Sequence, residues 1–254
     1  MKKWIMSSLA ILLGILSISI PLAGVRTAEA GTTEDSGKKL KIVTTIFPEY
    51  DWVKEILGDQ ADNVDLTLLL GNGTDMHSFQ PTMEDILKVS TCDLFIYVGG
   101  ESDSWVADAL KGAGNPDRKA INLMDVLGDQ VKEEEIVEGM QDEDGHTHEE
   151  EHTHDDDLEY DEHVWLSLKN ASLFCDTIAS SLADADPEHS RLYQQNAEAY
   201  EEKLAALDQE YQTSVEKSQS KTLLFADRFP FRYLIDDYNL TYYAAFAGCS
   251  AETD

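Results

Sequence analysis

Chemistry in this chain concentrates on histidine: seven are present, and five fall between His146 and Leu166 in "HTHEEEHTHDDDLEYDEHVWL". A neutral imidazole offers one nitrogen lone pair, which suits Zn2+ or another borderline-soft divalent ion. His146-x-His148 and His152-x-His154 are bedded among carboxylates, which raise the local concentration of cations. His163 follows in "YDEHVWLSL", and His77 stands far upstream in "GNGTDMHSFQPT". Two imidazoles so distant in the chain meet at one cation only if the fold brings their loops together. Taken singly, each is more commonly a surface or hydrogen-bonding residue, and spacing does not decide between the readings. Two histidines plus a carboxylate also describe a hydrolytic zinc arrangement, but no residue stands out as a general base.

The elements that must position these side chains alternate. "LKIVTTIF" (Leu40–Phe47), Val64–Leu70, "DLFIYVGG" and the shorter "KAINLM" read as buried strands. Between them, "PEYDWVKEILGD", "PTMEDILKVS" and "ESDSWVADALKG" read as helices, the first with Pro48 at its start and Gly58 near its end. Such short connections predict an α/β fold with a parallel sheet and helices on its faces. In open sheets of this kind ligands gather at the carboxyl ends of the strands, and His77 lies in a glycine-rich loop directly after one. The stretch from Glu133 to Glu162 breaks the rhythm, with sixteen acidic residues and no Lys or Arg; it predicts a surface insertion. "VWLSLKNASLFCDTIASSLADAD" returns to helix, and Asp186–Pro187 predicts a stop and a new N-terminus, with Asp186 as N-cap. The next helix is expected from Pro187 to Ser218, roughly 45–50 Å long. Its stripe of Tyr193, Ala197, Tyr200, Leu204, Leu207 and Tyr211 is too short for a coiled coil and fits one long helix packed along a globular body, able to bridge two lobes. "KTLLFAD" and "LTYYAAFAG" then open a second set of strands, too few to close a core alone, so an incomplete second lobe is expected.

Net charge is −31, a surface that repels phosphate backbones and argues against nucleic-acid partners. "MKK", the apolar run Trp4–Ile20 and "AEA" at Ala28–Ala30 form the three parts of an export signal. "LAGV" resembles a lipoprotein box, but Val25 stands where the lipid-bearing cysteine would be. Secretion across the cytoplasmic membrane, to a periplasmic or cell-surface location, is therefore expected without a clear lipid anchor. Cys92, Cys175 and Cys249 are odd in number and widely spaced, which predicts buried small hydrophobes and no disulfide framework.

"TIFPEYDWVKEILGD", "DMHSFQPT", the His-rich acidic insertion, "DEHVWLSL", "DPEHSRLYQQNAEAYEEKLAALD" and "DRFPFRYL" occur in that order. Together they resemble the zinc/manganese substrate-binding proteins of bacterial ABC uptake transporters, over nearly everything from Leu40 onward. The resemblance implies two α/β lobes, each with a mostly parallel sheet flanked by helices, joined by one long helix, with the metal in the cleft between. It implies residues 1–30 as signal peptide and 31–39 as a polar lead-in. The first lobe is then 40–186 with its insertion at 133–162, the linking helix 187–219, and 220–254 the start of a truncated second lobe. His77 matches the family's first ligand and His163 its second. The third position falls on Ala226, which cannot bind metal; Asp227 beside it is the nearest oxygen donor, or equally a structural carboxylate paired with Arg228 or Arg232. The implied cargo is Zn2+, with Mn2+ as the other member of the class, and the implied partner is an ABC permease served by a monomer. His146, His148, His152 and His154 become an auxiliary collecting loop. The alternatives are a secreted metal buffer, which would hold several ions weakly, and a zinc hydrolase.

Overall fold

Successive residues of the buried strands face opposite sides of one sheet, and both sides are covered. The computed structural model describes residues 39–246 and 248, apart from 72, 113, 136, 138, 139 and 141–159. The export signal, the four insertion histidines and Cys249 lie outside the described residues. The first half runs β1 (Lys41–Thr44), α1 (Phe47–Leu57), β2 (Asp65–Leu68), α2 (Met83–Thr91), β3 (Leu94–Tyr97), α3 (Val106–Lys111), β4 (Lys119–Asn122) and α4 (Leu123–Leu127). Then follow α5 (Leu168–Ala185), α6 (Ser190–Lys217), β5 (Thr222–Arg228), α7 (Arg232–Asp237) and β6 (Thr241–Phe246).

The main sheet has the order β2-β1-β3-β4, all parallel. Ile42, Leu94 and Ile96 point to the face covered by α1, α5 and α6. Val43 and Phe95 point to the other, against Val89 and Cys92 of the α2 region and Val106 and Ala109 of α3. The period of two and cover on both faces account for runs that read as continuously apolar. Chain direction across the sheet reverses between β1 and β3, which places a crevice at their carboxyl ends.

The strands are four residues each, shorter than the apolar runs suggested. At β1 the reason is local. The Glu49 carboxylate accepts hydrogen bonds from the Thr45 and Ile46 amides at 2.8 and 3.2 Å, so α1 starts at Phe47 and takes the end of the run. Cys92 and Cys175 are both fully buried free thiols, and burial pushes them up to about 11 and about 12.

Two expected helix starts move. Val164–Leu166 forms a single 3-10 turn, and α5 begins after Ser167, whose Oγ accepts the Asn170 amide at 3.1 Å. Helix α6 begins at Ser190, so Pro187 is not its first residue and Asp186 is not its N-cap. The Asp186 carboxylate instead takes the Tyr193 hydroxyl at 2.6 Å and sits 2.7 Å from His189 Nδ1, locking the corner at the end of α5. At 28 residues α6 is about 42 Å long. It is a single helix against α5 and α1, with Tyr193, Ala197 and Leu204 buried and Tyr211 41% exposed. Beyond it, β5 and β6 form a separate two-stranded parallel sheet.

This second sheet is tied back to the first half through α7. Tyr233 is 2% exposed within the main core. Lys132 pairs with Asp236 at 2.6 Å, and Lys169 with Asp237 at 3.1 Å. Among the described residues no helix is long and apolar enough to cross a membrane.

Candidate metal centre

Three chain segments converge at the carboxyl ends of the main strands. After β2 the Leu69 and Leu70 amides still donate to the Thr44 and Thr45 carbonyls. The chain then leaves the sheet, with Met76 buried as an anchor and His77 beside it. After β3 comes Val98–Gly99–Gly100, then Ser102 and Asp103. The third segment is Tyr160–His163, ahead of α5. Tyr233 holds it, donating to the Asp161 carbonyl at 2.9 Å while accepting the Lys132 amide at 3.1 Å. The ends of the acidic insertion meet at the same place: Glu133 and Tyr160 form an antiparallel bridge, and the Asp161 amide donates to the Lys132 carbonyl at 2.8 Å.

His77 and His163, 86 residues apart, bring their Nε2 atoms to 3.3 Å. Two nitrogens each bound at ~2.0–2.1 Å to one tetrahedral Zn2+ lie ~3.3 Å apart, so the pair has the spacing of two ligands of a single ion. His163 is 7% exposed, and its Nδ1 lies 3.1 Å from Asp161 Oδ1, which also accepts the His163 amide at 2.8 Å. An ionised carboxylate only accepts, so Nδ1 carries the proton and Nε2 keeps its lone pair for a metal. His77 Nδ1 is 3.0 Å from Ser102 Oγ and 3.8 Å from Glu162 Oε2. Burial, then the neighbouring His163 ring, hold the His77 pKa below its ordinary 6.5; Glu162 and Asp75 pull it up, and Arg228 pushes it further down. The neutral ring, the form that ligates, is thereby favoured at pH 7. Both rings line a cavity of about 480 Å3 with Phe47, Leu70, Asp75 and Trp165.

Asp227 does not join them. It is exposed on β5 with Oδ1 accepting the Arg228 amide at 2.8 Å. Among the described residues no three His, Cys, Asp or Glu side chains form a group poised for one metal ion. Ala226 is likewise exposed on the strand. His146, His148, His152 and His154 are outside the described residues. Ser102, Asp161 and Glu162 are the members that sequence reasoning missed. The signal for two of them was present, since "DEH" sets two carboxylates immediately before His163.

Behind the site Asp103 is 5% exposed and accepts the Gly99 amide at 3.0 Å. Burial, opposed by that amide and reinforced by the Glu162 charge, pushes its carboxyl up to about 6. The folded state thus holds this proton more tightly than the unfolded chain, whose Asp titrates near ~3.9. The stability it contributes is full below pH ~4 and is lost as pH rises through about 6. Asp103→Asn should therefore stabilise the metal-free protein by about 1–3 kcal/mol at pH 7.5, and most of the gain should be gone by pH ~3.5. Thermal melts of both proteins across that range check it; a gain independent of pH would contradict the assignment.

Residues 42–254 match the family described as zinc-uptake complex component A, periplasmic (ZnuA). The chain belongs to this family. The zinc-binding lipoprotein AdcA of Streptococcus pneumoniae is 34% identical over 220 residues, 85% of this chain and 40% of AdcA. The high-affinity zinc uptake system protein ZnuA of Bacillus subtilis is 32% identical over 210 residues, 83% of this chain and 62% of that protein. The chain thus spans less than two thirds of the curated relatives it matches. The crystal structure of the Zn(II)-bound ZnuA-like domain of S. pneumoniae AdcA superposes with a TM-score of 0.62 at 28% identity, covering 85% of this chain and 70% of that one. A ZnuA-family α/β fold with a parallel sheet flanked by helices is what the sequence predicted.

Proposed function

We propose that this chain is the extracytoplasmic receptor of an ABC metal importer, that its cargo is Zn2+, and that His77 and His163 hold the ion. The observation that carries the reading is the 3.3 Å separation of their Nε2 atoms, each ring backed at Nδ1 by a hydrogen-bonding partner. Two imidazoles favour zinc over manganese, which prefers carboxylate and carbonyl oxygens. The names of the relatives, zinc-binding and zinc uptake proteins, support the same cargo. The ion would lie in a cleft between the main sheet and the β5–α7–β6 unit; that Arg228 at the end of β5 acts on His77 supports this. Closure of the unit over the ion follows only if the metal binds the closed form better. A permease would then read the closed shape, and residues 1–30 would direct export. No chemical step is needed, so the reading is of a carrier.

The insertion histidines His146, His148, His152 and His154 make a second, weaker class of site in this proposal. Its neck ends at Tyr160, three residues before His163, so ions gathered there are released beside the cleft. Calorimetric titration of the metal-stripped chain with zinc should show one tight ion per chain and additional weak ones. Deleting residues 141–157 should remove the weak class and leave the tight ion. Several weak ions and no tight one would favour a metal buffer. A single class unchanged by the deletion would end the collecting role.

A further inference from the structure

To share one cation, both histidines must present a lone pair at Nε2, which requires the proton of each ring on Nδ1. For His163 the Asp161 carboxylate enforces this, because it can only accept. For His77 the nearest neighbours do not: the Ser102 hydroxyl, 3.0 Å from Nδ1, donates or accepts equally well, and His163 Nε2, 3.3 Å from the His77 Nε2, would accept a proton placed there. The other group facing Nδ1 is Glu162. It is 3% exposed, its Oε1 accepts the Ser102 amide at 2.9 Å, and its Oε2 is buried, without a hydrogen-bond partner, 3.8 Å from His77 Nδ1. Gly100 makes room for this carboxylate: a Cβ there would collide with Oε1.

We propose that Glu162 is the positioning residue for His77: its unpartnered Oε2, an acceptor only, holds the His77 proton on Nδ1 and so keeps Nε2 available to the metal. The inference rests on the metal reading above, with Glu162 acting through His77 and not as a ligand. It explains why a carboxylate is buried at a point where a neutral side chain would cost far less. It also gives each ligand its own carboxylate, Asp161 for His163 and Glu162 for His77. Metal binding draws density from Nε2 and makes the Nδ1–H a stronger donor, so the 3.8 Å approach should tighten when zinc is held.

Two measurements test this. Long-range proton–nitrogen NMR of the wild-type chain assigns the His77 tautomer directly. Nδ1–H without zinc, moving downfield on zinc addition, is expected; Nε2–H in the zinc-free protein would overturn the proposal. The second measurement is zinc affinity of Glu162→Gln by chelator competition. Gln keeps the shape but offers an amide N–H that stabilises the wrong tautomer. A 10–100-fold weaker Kd is expected, with His77 shifted toward Nε2–H. The exposed Glu84→Gln, which removes an equal charge from a side chain paired with Lys88 on α2, should stay within twofold. Equal affinity and an unchanged His77 tautomer in Glu162→Gln would refute the role. Should that variant not fold, the wild-type tautomer alone decides. Failure of the wild type to bind zinc at all would sink the receptor reading, while the zinc-free spectrum would still judge Glu162.

Discussion

Replacing His77 by alanine should weaken zinc binding by more than ~100-fold, beyond the 10–100-fold that outer partners of a ligand usually cost. Replacing both His77 and His163 should leave no tight site. The His77 side chain is 11% exposed and that of His163 8%, and each faces a buried carboxylate, so His77→Ala should lose about 1–3 kcal/mol. His163 is 7% exposed and covers Asp161, itself 2% exposed. Its removal strands a buried carboxylate, and His163→Ala should lose about 1–3 kcal/mol as well as its metal. Chelator-competition titrations with parallel thermal melts make both comparisons. Retention of nanomolar-class binding by the double variant would place the ion elsewhere in the molecule.

The largest effect on stability is expected at Phe174. It is fully buried on α5 and packs on Trp52 of α1 with ring centroids 5.7 Å apart, where three helices cover one face of the main sheet. Phe174→Ala removes the aromatic contact and leaves a cavity that rigid neighbours cannot fill, a loss of about 3–5 kcal/mol. For a domain of this size that lowers Tm by roughly 6–20 °C. Zinc supplied at a hundredfold excess over Kd should return about 2.7 kcal/mol, because only the folded chain presents both imidazoles. Scanning calorimetry with and without zinc reads both numbers. A shift under 2 °C would mean the helix layer repacks around the gap.

What the sequence disclosed and what it withheld divide along a physical line. Continuously apolar runs alternating with helices pointed to the parallel sheet, because both faces of that sheet are buried and demand the same residue types. His77 and His163 could be picked out by type and by their place after a strand and before a helix. Their approach to 3.3 Å could not, since it depends on loops meeting through Tyr233 and Glu162. At Asp186 a correct local signal was overridden: an acidic residue before proline is a good N-cap, yet Tyr193 and His189 both meet its Oδ2 across the corner. Asp161 and Glu162 were hidden by their neighbourhood. They close a run of charge, and such runs normally face water. Here the last two carboxylates turn inward, because a histidine and a backbone amide supply what water otherwise would.

The neck formed by Glu133 and Tyr160 separates two design problems. With both strands of the neck already fastened beside the cleft, a change in the length of chain between them alters the closure entropy by only about 0.6 kcal/mol per doubling. That length can therefore change at little expense to the rest of the molecule. In the receptor we propose, metal scarcity would retune the antechamber without disturbing the chamber.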